Sequence, residues 1–267
     1  MADLEFEVTD GVATVLINRP ERKNAFTMAM LNEWGEIISD ARHNPDVRVI
    51  VLRGAGNAYC SGIDLGTVDD LGAGPLDQKE LVRHGIQRIA LSMQDLDTPT
   101  IAAINGVAVG GGFDTALMCD IRLAARSARV SEPYINLGFV PGAGALYYLP
   151  RMIGTANALE MLLTGDFYSA EECFRMGLVN HVYDDDELLD KTYELAGKIA
   201  KAPPAAVGMM KRGLYQSANS DLRTALDLVS SHMGILRSTE ESKAALQAIQ
   251  ERVSRRARER GSSASES

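Results

Sequence analysis

Along the first seventeen residues apolar and polar side chains alternate, from Leu4 to Val8 and again from Val12 to Ile17, on either side of Asp10-Gly11. That is the pattern of a β-hairpin. Asn18 to Ala25 is a polar loop, after which Thr27 can cap a helix whose apolar spacing runs to Ala41 and which Asn44-Pro45-Asp46 ends. Val47 to Leu52 reads as a strand, and Gly54 to Asn57 as a turn leading into Tyr59 to Leu65. Thr67 to Asp77, with Gly72, Gly74 and Pro75, reads as a mobile loop. Helical spacing returns in Leu81, Ile86, Ile89, Met93 and Leu96 within Gln78 to Leu96, and the apolar run Pro99 to Ile104 is the central strand.

The second half repeats the theme. Phe113 to Cys119 has helical character, Asp120 to Ala125 and Ala128 to Ser131 read as strands, and Pro133 to Asn136 as a short helical turn before Leu137 to Gly144. Ala145 to Arg151, Ala156 to Leu163 and Ala170 to Met176 are expected to be short helices, with Val179 to Tyr183 the last strand. Asp184-Asp185-Asp186 offers N-caps for Glu187 to Ala200, and past Pro203-Pro204 the pattern is helical to about Arg258. Strand, strand and helix recur, so a coiled stack of small sheets fits better than a strict βαβ alternation. The boundary with the all-helical C-terminal part falls near residues 196 to 204. That part carries Val207, Met210, Leu214, Leu222, Leu226, Val229 and Leu236, more apolar positions than one face against its own domain needs.

The central strand leads through Val107-Ala108-Val109 into Gly110-Gly111-Gly112-Phe113-Asp114. Glycines at the start of a helix leave backbone N–H groups unpaired and unshielded, which suits an oxygen that is gaining negative charge. Asp114 follows closely enough to lie beside a reacting carbon. A second glycine loop, Ser61-Gly62-Ile63-Asp64, supplies another candidate donor at Ile63. Two such donors with an acid between them make an oxyanion hole for a carbonyl that becomes an enolate or a tetrahedral centre. No GxSxG elbow, GxGxxG or P-loop spacing is present, and the four histidines are scattered at 43, 84, 181 and 232.

Composition narrows the classes. The chain of 267 residues is 46% hydrophobic, enough for an ordinary globular core. Its net charge of −9 argues against nucleic-acid binding, and the basic run Arg252 to Arg260 reads as a solvated helix end. Without a membrane-length apolar run or a signal-like N-terminus, the expected place is the cytoplasm, away from membranes. Cys60, Cys119 and Cys173 are odd in number and lack CxxC spacing, so they are expected as buried hydrophobes, with neither disulfide nor metal site.

Over nearly its whole length the chain resembles the enoyl-CoA hydratase/isomerase (crotonase) family. The resemblance is carried by Asn18-Arg19-Pro20 with Asn24-Ala25, by Ser61-Gly62-Ile63-Asp64, and by Ile101 to Gly106 running into Gly110-Gly111-Gly112. Cys119-Asp120, Val140-Pro141-Gly142-Ala143-Gly144, Leu163-Thr164-Gly165-Asp166 and Gly177-Leu178-Val179 extend it. It implies an α/β fold: a crotonase-like spiral of ββα units over 1–200 with the CoA-thioester site, a helical C-terminal trimerisation region over 201–258 and a disordered tail over 259–267. It implies assembly as a homotrimer or a dimer of trimers. The N–H groups of Ile63 and Gly111 would grip the carbonyl of an acyl-CoA thioester. Arg22, Ala25 and the backbone of Ser61, Gly62, Asp64 and Leu65 would hold the CoA, with Gly110 and Pro133 also lining the site. CoA is then part of the substrate and no separate cofactor is expected.

Departures from the family pattern bear on the reaction. The two glutamates that work on one water in the hydratases are matched here by Asp114 and Tyr134. Asp114 is one methylene shorter, roughly 1.5 Å less reach, and a phenol donates hydrogen bonds but is a poor base at neutral pH. Glu132, two residues earlier, is more simply a solvent-facing or capping carboxylate than an accessory acid. Gly142 stands where the dehalogenases place their aspartate nucleophile, which excludes that reaction. The expected activity is isomerisation or hydration of an unsaturated acyl-CoA, with Asp114 transferring the proton and Tyr134 positioning substrate or water. Hydrolysis of a thioester or of a β-keto carbon–carbon bond, and a non-catalytic acyl-CoA binder, are the alternatives.

Overall fold

A computed structural model of the chain describes residues 2–64, 66 and 74–264, the side chains of 255–264 excepted. The chain divides into two compact units, Met1–Lys201 and Ala202–Ser267. The first begins with β1 (Leu4–Thr9) and β2 (Val12–Ile17), paired antiparallel with Leu4 opposite Ile17. Asp10 and Gly11 both have positive φ, the twist that lets a two-residue turn join adjacent strands. In α1 (Met28–His43) the Thr27 hydroxyl accepts the Met30 N–H, and Met30, Leu31, Trp34, Ile38 and Ala41 form the stripe that is buried.

From there each turn of chain lays one strand in each of two sheets. β3 (Val49–Gly54), β5 (Thr100–Ile104), β7 (Ile121–Ala125) and β10 (His181–Tyr183) add in parallel to β2, giving the order β1-β2-β3-β5-β7-β10. β4 (Ala58–Cys60), β6 (Val107–Val109) and β8 (Arg129–Ser131) form a second parallel set, closed by the antiparallel β9 (Tyr168–Ser169). The helix α4 (Gly111–Leu117) follows β6, and α7 (Leu188–Ala200) follows β10. This is the expected spiral of ββα units. Ile50, Leu52, Ile101, Ile104 and Leu123 at its centre are wholly buried, because strands covered on both faces can carry unbroken apolar runs.

Several local expectations change. β4, β6 and β9 have no pattern in the sequence, since two or three residues are too short to show a period. Helix starts at Pro75 in α2 (Pro75–Leu81), passes through a π-helical turn at Val82–Ile86 and continues as α3 (Gln87–Gln94). The remainder of the expected mobile loop, 67–73, lies outside the described residues. The span α5 (Ala145–Thr164) is broken at Gly154, whose φ of +77° and ψ of 160° are not helical, so the two expected helices stand on either side of that residue. The aspartates at 184–186 do not cap α7. Asp184 Oδ1 accepts the Arg126 guanidinium and Asp185 Oδ1 the Ser127 N–H, so they hold the β7–β8 turn. The capped helix of this region is α6 (Ala170–Met176), where Ser169 and Glu172 make a reciprocal capping box.

The second unit holds α8 (Pro204–Ser217), α9 (Leu222–Ser238) and α10 (Glu240–Ala264). Helical backbone thus runs past 258, where the sequence pattern had placed its end. α9 packs with α8 and α10, yet none of its residues is buried, and Leu222 and Leu226 are more than half exposed. Among the described residues no helix is long and apolar enough to cross a membrane, and no three His, Cys, Asp or Glu side chains could hold a metal ion. All three cysteines are free and buried.

Arg122 anchors the C-terminal end of α4. Its Nε donates to the Leu178 carbonyl and its Nη1 to those of Ala116 and Cys119, so a buried cation sits at the C-terminal end of the helix, where it favours the dipole. Replacing it with Met keeps the apolar stem and removes these three hydrogen bonds. At about 1.5–3 kcal/mol for a hydrogen bond to a charged group, Arg122→Met is expected to lower the unfolding free energy in urea by at least about 3 kcal/mol. A loss under 1 kcal/mol would show that the anchor is dispensable.

Candidate active site

The strand end at Cys60 and the N-terminus of α4 approach so closely that no Cβ fits between them. A Cβ on Gly112 would lie 2.2 Å from the Cys60 carbonyl oxygen, and one on Gly62 would lie 2.8 Å from that of Val109 and 3.4 Å from the Gly111 nitrogen. Gly62 also has φ +90°, a conformation that L side chains rarely adopt. Phe26 and Ile63 form a parallel bridge in which Phe26 N–H donates to the Gly62 carbonyl and Asp64 N–H to that of Phe26. That pattern turns the Ile63 N–H the other way. Gly111 is the first helical residue, so its N–H has no intrahelical acceptor. Neither N–H donates to another backbone group among the described residues.

Both donors border one cavity of about 440 Å³. Arg22, Ala25, Ser61, Gly62 and Asp64 line it from the first glycine loop, and Gly110, Pro133 and Tyr134 from the other side. Thus Ile63, Gly111 and these eight expected site residues are brought together. Leu65 lies outside the described residues. Val109 and Leu137 also line the cavity and carried no signal in the sequence beyond being apolar. Arg22 makes no ion pair among the described residues and is exposed, free to meet an anion. Arg19 does the holding. Its Nη1 donates to the Ala25 carbonyl and its Nη2 to Asp64 Oδ2, which fixes the two loops together. The Gly66 N–H and, next, Arg19 keep the Asp64 carboxyl below its usual pKa.

The acids are arranged differently from the expectation. Asp114 is wholly buried and does not line the cavity. Its Oδ1 accepts the Ala145 N–H at 2.8 Å, and its Oδ2 accepts the Tyr134 hydroxyl at 3.1 Å. The phenol therefore stands between the cavity and the carboxylate. Burial pushes Asp114 up to about 7, against the opposing pull of the Ala145 N–H and the Tyr134 hydroxyl. Burial, with the Asp114 charge beside it, raises Tyr134 far above neutrality, so its phenol keeps its proton.

Glu132 is corrected more sharply. It faces no solvent and caps no helix: the residue is wholly buried, and neither carboxyl oxygen has a hydrogen-bond partner among the described residues. Desolvation first, and then the Asp114 charge, drive its pKa well above the ordinary carboxylate value. Its position next to Pro133 and Tyr134 gave no hint of this, because burial at a strand end cannot be read from one polar residue.

Comparison with known proteins sets this geometry in context. A family model described as enoyl-CoA hydratase/isomerase matches residues 7–258. A crotonyl-CoA hydratase of Syntrophomonas wolfei is 31% identical over 92% of this chain and 94% of its own. A 1,2-epoxyphenylacetyl-CoA isomerase of Escherichia coli is 35% identical over 83% and 85%. The crystal structure of an enoyl-CoA hydratase from Bacillus anthracis superposes with a TM-score of 0.89, at 33% identity, covering 94% of this chain and 97% of that one.

The Asp114 pKa has a consequence for stability. An unfolded aspartate titrates near 3.9, so between there and about 7 the folded state binds the extra proton. The associated stability is fully present below the unfolded pKa and is lost as pH rises through 7. Between pH 5 and pH 8 the wild type should lose about 2–3 kcal/mol more unfolding free energy than Asp114→Asn, which has no such proton. Parallel urea series at the two pH values check this; equal losses would mean that Asp114 is not buried as an acid.

Proposed function

Because the chain belongs to the enoyl-CoA hydratase/isomerase family, we propose that it acts on an unsaturated acyl-CoA, moving its double bond through a thioester enolate. The observation that carries this reading is the pairing of two N–H donors, on Ile63 and Gly111, that have no backbone partner among the described residues, with a Tyr134–Asp114 hydrogen bond at the wall of the same cavity. The thioester oxygen accepts from the two donors. As the proton leaves the α-carbon, its bonding electrons pass to that oxygen, where preorganised donors stabilise the charge. Arg22, Ala25 and the Ser61–Asp64 backbone hold the CoA portion, with the Arg22 cation toward its phosphates.

The cavity wall supports a relay in place of direct transfer to Asp114. The Tyr134 oxygen takes the substrate proton while its own proton passes to Asp114, so no free phenolate forms. A carboxyl poised near 7 can accept and return a proton with little driving force lost. Return to a carbon two positions along completes the isomerisation. Hydration of a 2-enoyl thioester is the second reading, favoured by the hydratases among the relatives. Beside the Gly111 donor the Tyr134 phenol lines the cavity while Asp114 lies behind it, which suits double-bond migration better than splitting a water between two acids.

Isomerisation of a 3-enoyl-CoA, followed by product mass and ultraviolet absorbance, tests the reading. Asp114→Asn and Tyr134→Phe should each reduce turnover by at least ~10²-fold, the scale of losing a general acid–base group. A Tyr134→Phe enzyme within tenfold of wild type would take the phenol out of the proton path. The exposed apolar residues of α9 further support self-association as a homotrimer or a dimer of trimers. Sedimentation at micromolar concentration should show such an oligomer, and a monomer would exclude it.

A further inference from the structure

The proposed relay leaves one buried ionisable group unused. Glu132 lies between Ser131, whose carbonyl accepts the Gly110 N–H, and Pro133, which lines the cavity. A buried carboxyl with no partner for either oxygen costs several kcal/mol of lost hydration, and a glutamine or an apolar side chain would avoid the risk of a charge there. The charged or titratable groups that act on it or its neighbours are Asp114 from α4, Tyr134 from its own turn, Cys60 from β4 and Tyr148 from α5. Among the described residues none of these is a cation. A second negative charge beside Asp114 would have nothing to balance it, and two adjacent carboxyls without a cation hold protons as a pair.

We propose that Glu132 is the second proton-holding residue of this site, a positioning residue that acts through Asp114 and keeps one proton on the carboxyl pair in the resting enzyme. Its acid proton is pinned by no acceptor, so rotation of the side chain toward Asp114 lets the two carboxyls exchange protons. In the resting site Glu132 is an acid, Asp114 a carboxylate and Tyr134 a phenol. When the α-C–H bond breaks, its electrons go to the thioester oxygen, the substrate proton to the Tyr134 oxygen and the phenol proton to Asp114. Three protons then sit on three groups. The one delivered to the product is drawn from that pool as the enolate electrons return to carbon.

This inference rests on the isomerase reading for its kinetic arm only, and a second arm is independent of it. Carbon-13 NMR of the full chain labelled at the glutamate carboxyls should show one resonance that stays in the acid form from pH 5 to pH 8. Its assignment comes from its loss in Glu132→Gln or, if that variant does not fold, from its shift in Asp114→Asn. A Glu132 carboxylate already ionised in that range overturns the proposal whatever reaction the protein catalyses. In the kinetic arm, a 3-enoyl-CoA deuterated at the α-carbon is turned over once in ordinary water. Full scrambling over three groups returns about a third of the label to the product, and Glu132→Gln should raise this to about a half by removing one member of the pool. An unchanged share in a folded, active Glu132→Gln enzyme overturns the proton-holding role. Absence of any isomerisation in the wild type would instead count against the proposed function, with the NMR titration still deciding Glu132.

Discussion

The closeness of two backbones governs the rest of the site. The Cys60–Gly62 strand end and the Gly110–Gly112 helix start touch without room for a single Cβ, and that contact brings the Ile63 and Gly111 N–H groups to one cavity. Side chains elsewhere serve this contact. Arg19 clamps the loop on one flank by bonding Ala25 and Asp64, and Arg122 fixes the far end of α4 by bonding the Ala116 and Cys119 carbonyls. A donor pair made of backbone cannot drift by rotamer change, and this suits it to charge that exists only during the reaction.

Behind this pair the electrostatics are unusual for a protein of net charge −9. Two carboxyls and a phenol are buried together, and the favourable contacts to Asp114 are neutral: the backbone N–H groups of Ala145 and Ala143 and the Tyr134 hydroxyl. The outcome is an acid poised near 7, because burial outweighs these donors, whereas the partly exposed Asp64 is held low by the Gly66 N–H and then by Arg19. Arg19 and Arg122 act on a loop and a helix end, away from these proton-bearing groups.

Much of this was legible in the sequence. The hairpin at Asp10-Gly11, α1 with its Thr27 cap and the central strand follow from alternation, turn residues and helical spacing, which are local signals. The donors at Ile63 and Gly111 follow from glycine runs at the ends of strands. What stayed hidden depends on contacts distant in sequence. β4 and β6 are strands only because neighbouring turns of the spiral pair with them. That Tyr134 screens Asp114 from the cavity, and that Glu132 is dry, depend on how the 133–137 turn seats against α4. The Asp184 to Asp186 run shows the reverse error: a strong local signal for a helix start was used by a neighbouring β-turn.

The spiral topology also sets the order of events in folding. Ile63 and Gly111 lie on successive turns, and β3 pairs with β5 only after some fifty intervening residues have closed into a loop. Such closures are slow, because the chain loses entropy before any contact rewards it. A ribosome-bound chain that ends before α4 therefore has the first glycine loop but no partner for it. The Ile63 and Gly111 donors come together in a single step, when the second coil docks on the first, and chains stalled short of that step expose two sheet edges to their neighbours.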